Sequence, residues 1–248
     1  MIGENCDNCG NAGDGKTYIP PNALDDDIAA ELHSNQAEFF GSVKPAFQLP
    51  DPPDRTTTDQ ELAALRQLKM NRPAMMGEIN AEKDHFEWVF LNVLGIGGTP
   101  PSATYSTMLL LTSIISVTNF WAVRIKMKYN RPRPVQLAPD LDPPFCPGHP
   151  SYPSAHSCGA NACASMLVEA TDGFPQFHNA LNQAAKDIAS HREVAGVHYR
   201  SDSDCGAVFA NQLMAALRND PDRLYLTSVA KVRIELSLIL GSRGSRPL

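Results

Sequence analysis

The sequence predicts an all-α fold, arranged as a single-domain helical bundle. Three observations predict it. Alternation of β-branched residues is never sustained, so strand signals are nearly absent. Apolar residues recur at helical spacing in one stretch after another. Proline and glycine punctuate those stretches without any internal repeat.

The elements follow in order. Residues 1 to about 22 carry Gly, Asn, Asp and Pro without periodicity and read as an irregular arm. Ile28, Leu32 and Phe39 line a first helix that starts near Asp25-Asp26-Asp27, where the helix dipole favours negative charge. A metal site at the triple Asp is the weaker alternative. Residues 1–40 thus form an arm and first helix. Pro45, Pro50, Pro52 and Pro53 mark a linker or wrapping loop. Thr58-Asp-Gln-Glu61 has the capping-box pattern and opens a helix through Leu62, Leu65 and Leu68 that ends before Pro73. Residues 78–94 form the next helix, with Ile79, Phe86, Phe90 and Val93 on one face and Gly95 as its stop. A long helix from about Ser102 to Lys128 ends at Pro132 and Pro134, and Pro139–Pro153 is a loop. Further helices cover about Ser154–Ala170, Pro175–His191, Ser201–Leu217 and Pro221–Leu240.

At 248 residues the chain can bury a sizeable core. A net charge of -6 argues against a broadly basic nucleic-acid surface, so no nucleic-acid partner is expected, while a local cationic pocket stays allowed. The most apolar run, Met108 to Val123, is short for a bilayer and is interrupted by Thr112, Ser113, Ser116, Thr118 and Asn119. It reads as a buried core helix, and no membrane span is expected. No basic, apolar leader follows Met1, so no secretory signal is visible and a cytoplasmic location is allowed. Cys6 and Cys9 have redox or zinc spacing but no second ligand pair nearby, and read as a surface pair or local disulfide. Cys158 and Cys163 read as core-lining thiols.

Three clusters between Lys126 and Asp202 carry chemistry. Lys126 and Arg133 stand seven residues apart at the end of the long helix, with Arg133 on an extended exit between two prolines. They supply a compact charge and a planar fork for an oxyanion. Pro153-Ser154 opens a helix whose first amides, at Ser154, Ala155 and His156, make an anion site. His198 and Asp202 are four apart, so the carboxylate can fix the imidazole tautomer and leave the other nitrogen free to attack. Arg192 supplies a third cation. Taken singly, the first cluster fits a solvated basic face, the second simple N-capping by Ser154, and the third a polar loop. Taken together they supply what phosphoryl transfer needs: neutralised oxygens, a nucleophile and a proton donor.

The pattern Lys126-x6-Arg133-Pro134, Pro153-Ser154-x-His156 and Arg192-x5-His198-x3-Asp202 resembles the signature of the phosphatidic acid phosphatase type 2 superfamily, which unites class A non-specific acid phosphatases, lipid phosphatases and vanadium haloperoxidases. The similarity to bacterial class A acid phosphatases extends over roughly residues 45–238, and residues 41–248 would be the catalytic domain. The resemblance implies that His198 is a nucleophile forming a phosphohistidine, that Asp202 orients it, and that His156 is the general acid. Lys126, Arg133, Ser154, the Ala155 amide and Arg192 would hold the phosphate oxygens.

Three positions depart from that pattern. Ala155 stands where many members carry Gly, and His191 where many carry Ser. His149, seven residues before His156, brings the segment closer to algal bromoperoxidases. His149 and His191 are expected at the pocket rim. The implied function is a phosphomonoesterase for a small phosphorylated substrate that needs no metal or other cofactor. The alternative is a haloperoxidase with bound vanadate. Homo-oligomers and a periplasmic or secreted location are further implications of the resemblance.

Overall fold

The computed structural model describes residues 45–244, and the arm, the triple Asp and the Cys6–Cys9 pair lie outside them. Among the described residues there are helices and no strands, as the absence of sustained β alternation predicts.

Helix α1 is Arg55–Lys69, and its N-cap is Asp54, whose carboxylate accepts from the Thr57 amide at 2.8 Å. The expected capping box at Thr58 is therefore not the helix start. Glu61 is not folded back on the backbone but reaches across to Arg131 and Ser201. Helix α2, Arg72–Ala81, carries Pro73 in its first turn, where the missing N–H removes nothing. Helix α3 is Glu87–Val93. The continuous helix expected over 78–94 is thus broken by a turn at 82–86, because the carbonyls freed there face His156 from another element.

Helix α4, Tyr105–Tyr129, ends at Asn130, which takes the left-handed conformation (φ 49°) that Asn tolerates. A short helix α5, Pro134–Leu137, and a loop lead to helix α6, Ala155–Ala170, with Ser154 as N-cap. Helices α7 (His178–Val194), α8 (Arg200–Arg218) and α9 (Leu224–Gly244) complete the chain.

Helix α6 is the centre of the bundle, packed against α4, α7, α8 and α9. Its sequence is rich in Ala, Gly, Ser and Cys, so neighbouring helices approach closely, and Cys158, Ala160, Ala162, Cys163, Met166 and Leu167 are all buried. Cys158 and Cys163 are free buried thiols, as expected of core lining. At Gly206 on α8, an added Cβ would stand 2.7 Å from the Ser154 carbonyl oxygen. Glycine there lets α8 meet the start of α6. The proline-rich segment 45–54 wraps the bundle. Phe47 packs edge-on to Trp121 and Phe209, and the Tyr152 hydroxyl donates to the Pro50 carbonyl at 2.6 Å.

The expectation of no membrane span is corrected. The helical stretch Tyr105–Leu137 covers 33 residues with a mean hydropathy of 1.5 over its most apolar window, 44% of which is buried. By length and composition it is able to cross a membrane. Three of the hydroxyl residues counted as interruptions turn back on their own helix. Thr112, Ser113 and Thr118 donate back to the carbonyls of Met108, Leu109 and Ile114, which leaves the helix more apolar than its composition suggests.

Candidate functional site

The site lies where the end of α4, the 149–154 loop, the start of α6, the end of α7 and the start of α8 converge. Two backbone devices bring them there. Gly196 has φ +77°, a conformation L side chains rarely adopt, and turns the chain between Arg192 and His198. The Ser154 amide donates to the Asp202 carbonyl at 2.9 Å, which ties α6 to α8.

His198 stands just before α8 and Asp202 lies in its first turn, so they are not on consecutive turns of one helix as their spacing suggests. They meet nevertheless: Nδ1 and the Asp202 Oδ2 are 2.9 Å apart. Oδ2 also accepts from the Tyr199 amide at 3.1 Å and from the Ser151 hydroxyl, while Oδ1 accepts from Arg131 Nη1 at 2.7 Å. Burial alone would raise the Asp202 carboxyl, but Arg131 and His198 hold it below the usual carboxylate range.

On the other side of the ring, Arg133 Nη1 lies 3.0 Å from His198 Nε2 and donates to the Val197 carbonyl at 2.6 Å. Arginine only donates, so the network assigns the lone pair to Nε2 and the proton to Nδ1. Arg133 Nε donates to the His149 carbonyl, and Nη2 donates to His149 Nδ1 at 2.9 Å. Lys126 is buried and donates from Nζ to the carbonyls of Pro150 at 3.0 Å and Ser151 at 2.9 Å. Burial and Arg133 push its ammonium well down. His198 is pushed down by burial, then Arg133; His149 by burial, then Lys126 and Arg133. All three groups respond to the same crowd of positive charge, a pocket that favours an anion.

Arg192 forms the opposite wall and is completely buried. Its Nη2 donates to the Ile79 carbonyl at 2.8 Å and to Glu82 Oε2 at 3.3 Å. Among the described residues, Nε and Nη1 are buried without a hydrogen-bond partner. His156, one residue into α6, sets Nε2 against the carbonyls of Glu82 at 3.2 Å and Lys83 at 3.0 Å. Carbonyls only accept, so Nε2 carries the proton and Nδ1 the lone pair. Burial and Arg192 lower His156 to about 3. Ser154 is buried, and its Oγ accepts from the Ser157 amide at 3.3 Å while keeping its own hydroxyl proton for another acceptor.

The structure therefore links Arg133 to both His149 and His198, and His198 to Asp202, while His156 feels the charge of both Arg192 and Lys126. His149 is half-buried, and its Nδ1 accepts from Arg133 Nη2. His191 shares Glu82 with Arg192: its Nδ1 is 2.9 Å from both Glu82 carboxylate oxygens, which raise its pKa. Sequence reasoning missed Arg131, Ser151, Glu61 and Glu82 as parts of this network. The Arg131-Pro-Arg133-Pro134 repeat was the available signal for Arg131, since residues two apart in an extended segment lie on one face, so Arg131 belongs with Arg133. Nothing local marks the two glutamates.

Buried cations, a helix N-terminus and a carboxylate-oriented imidazole can together hold a tetrahedral oxyanion against a nucleophile. The model of the PAP2 superfamily matches residues 103–223. The match supports placing the chain in that superfamily. The PAP2 match begins just before α4 and ends just before α9, so it spans every cationic and imidazole residue named from the sequence. Glu61 and Glu82 fall outside it. The same match supports phosphatase-type activity in general. None of the curated proteins compared matches the chain.

Proposed function

We propose that the protein is a phosphomonoesterase that works through a phosphohistidine. The observation that carries this reading is Arg192, whose buried Nε and Nη1 have no hydrogen-bond partner among the described residues. Leaving a buried donor unsatisfied costs roughly 1–3 kcal/mol, and a phosphate oxygen pair would relieve both in the bidentate manner that suits arginine. Lys126, Arg133, the Ser154 hydroxyl and the first amides of α6 would complete the cradle.

In the first step the His198 Nε2 lone pair attacks phosphorus as the bond from phosphorus to the ester oxygen breaks. His156 Nδ1 delivers a proton to the departing oxygen. In the second step His156 takes a proton from water, whose oxygen attacks phosphorus as the bond to Nε2 breaks, releasing inorganic phosphate and neutral His198. Asp202 keeps Nδ1 of His198 as the donor throughout and stabilises the charge that develops on the ring. In the free pocket His156 is neutral above about pH 3, so its working proton arrives with the substrate, whose negative charge offsets Arg192.

His149 on Arg133 favours a second reading, a vanadium haloperoxidase using the same cradle. Vanadate matches phosphate in shape and charge, and when bound it would supply activation of peroxide. The two readings separate in one paired assay without added metal. Hydrolysis of p-nitrophenyl phosphate that vanadate inhibits, with weak bromination of a dye, is expected. Strong vanadate-dependent bromination with negligible hydrolysis would reverse the ranking.

A further inference from the structure

Arg131 stands two residues before Arg133 and faces the opposite end of the same pair. A single chain of contacts runs from Arg131 Nη1 to Asp202 Oδ1 (2.7 Å), from Asp202 Oδ2 to His198 Nδ1 (2.9 Å), and from His198 Nε2 to Arg133 Nη1 (3.0 Å). Arg131 is itself held. Nη1 also donates to the Ser201 hydroxyl at 2.8 Å, and Nη2 donates to Glu61 Oε2 at 2.8 Å and Thr58 Oγ1 at 3.2 Å. Its guanidinium lies over the Tyr199 ring, 3.8 Å from the centroid. Glu61 is fixed in turn by the Ser201 amide at 2.7 Å. The Arg131 carbonyl accepts from the Ser151 amide at 2.9 Å, and the Ser151 hydroxyl donates to Asp202.

We propose that Arg131, held by Glu61, is a positioning residue that acts through Asp202 to fix the orientation and tautomer of His198. Two carboxylates share this one guanidinium. Planar, two-sided contact suits arginine and not lysine, because only a fork can hold Asp202 and Glu61 in fixed directions at once. The direct side-chain route from Arg131 to His198 runs through Asp202, which Arg131 holds at Oδ1 and which meets His198 at Oδ2.

The inference rests on the proposed role of His198, and the test separates the two. Arg131→Met and Arg131→Lys are compared with the wild-type protein by the histidine Nδ1–H resonance in ¹⁵N-histidine-labelled protein, and by kcat and KM for p-nitrophenyl phosphate. Arg131→Met is expected to lose or shift the His198 Nδ1–H signal and to lower kcat about ten- to a hundredfold, the range seen when an outer-shell partner is removed, with KM nearly unchanged. Arg131→Lys should recover part of both. If Arg131→Met does not fold, Arg131→Lys decides by the same readouts, with a shifted signal and a several-fold lower kcat expected. An unchanged signal, or a KM that rises as kcat stays constant, overturns the proposal. If the wild type proves to lack phosphatase activity, a His198 signal that still responds to Arg131 sustains the positioning role while the functional reading falls.

Discussion

Asp202 and Arg192 are both wholly buried charges facing one pocket, yet they are treated in opposite ways. Asp202 accepts from Arg131, Ser151, Tyr199 and His198. Arg192 is anchored through Nη2 only, with Nε and Nη1 left without partners among the described residues. A buried charge that is fully hydrogen-bonded is locked in place, which suits a group whose task is to orient another. A buried cation with idle donors is costly until an anion arrives, which suits a group whose task is to bind. On the proposed reading, the contrast makes the pocket rigid at its nucleophile and receptive where the substrate binds.

The largest effect expected concerns the locked wall. His198→Ala should lower phosphatase turnover by at least about a thousandfold, as loss of a nucleophile does, while circular dichroism stays unchanged. Near-normal turnover in a folded variant would end the phosphohistidine reading. On the receptive wall, Arg192→Ala should weaken vanadate inhibition and lower kcat/KM by about 10²–10³-fold, the range for removing a preorganised charge-stabilising donor. A variant that melts early but binds vanadate normally would make Arg192 a structural cation and erase the contrast.

Glu82→Gln tests the join between the walls. It leaves the Glu82 carbonyl on His156 but removes the charge beside His191 and Arg192. Vanadate affinity should change by about tenfold or less, and the titration of His191 should move down toward its ordinary value, followed by NMR. An unmoved His191 would contradict the pairing.

The acid dependence of stability sharpens the same comparison. The folded pKa of His156 is about 3, below its unfolded value of 6.5. Between those values the unfolded chain binds more protons, so stability falls as pH falls from 6.5 towards 3. His149 and His198 are lowered as well and act in the same direction, and Asp202 adds to it below its unfolded value of 3.8. His191, raised by Glu82, opposes them. The melting temperature of the free protein should therefore be lower at pH 5 than at pH 7, and vanadate should narrow the gap by favouring protonated imidazoles. A higher melting temperature at pH 5 would mean that these rings are not buried neutral. The smallest effect expected is for Ser154→Ala, which removes an N-cap worth about 1 kcal/mol together with one donor to the oxyanion.

Much of the helical plan was legible because its signals are local. Ser154 before the Ala-rich run, Pro132 and Pro134 after the long helix, and Gly95 in a left-handed turn each act within a few residues of themselves. The misreadings have tertiary causes. Glu61 has the spacing of a capping box but is drawn to Arg131 and Ser201 on distant segments. The 78–94 stretch has a continuous apolar face, yet it breaks where Glu82 and Lys83 turn their carbonyls to His156. Thr112, Ser113 and Thr118 of the long helix looked like interruptions but bond to their own backbone, and by length and composition the helix is apolar enough to span a membrane.

By itself the sequence determined the all-α class and the residue types of the pocket, because helical periodicity, caps and the spacing of Lys126, Arg133, Ser154, His156, Arg192, His198 and Asp202 are properties of the chain alone. Only the tertiary structure decided how these groups are used. It set His149 on Arg133 and paired His191 with Glu82. It also divided the cations between Arg131, which locks Asp202, and Arg192, whose Nε and Nη1 have no partner among the described residues. The reason is physical: whether a buried charge is satisfied depends on partners from segments far away in sequence, and no local pattern records which of them will arrive.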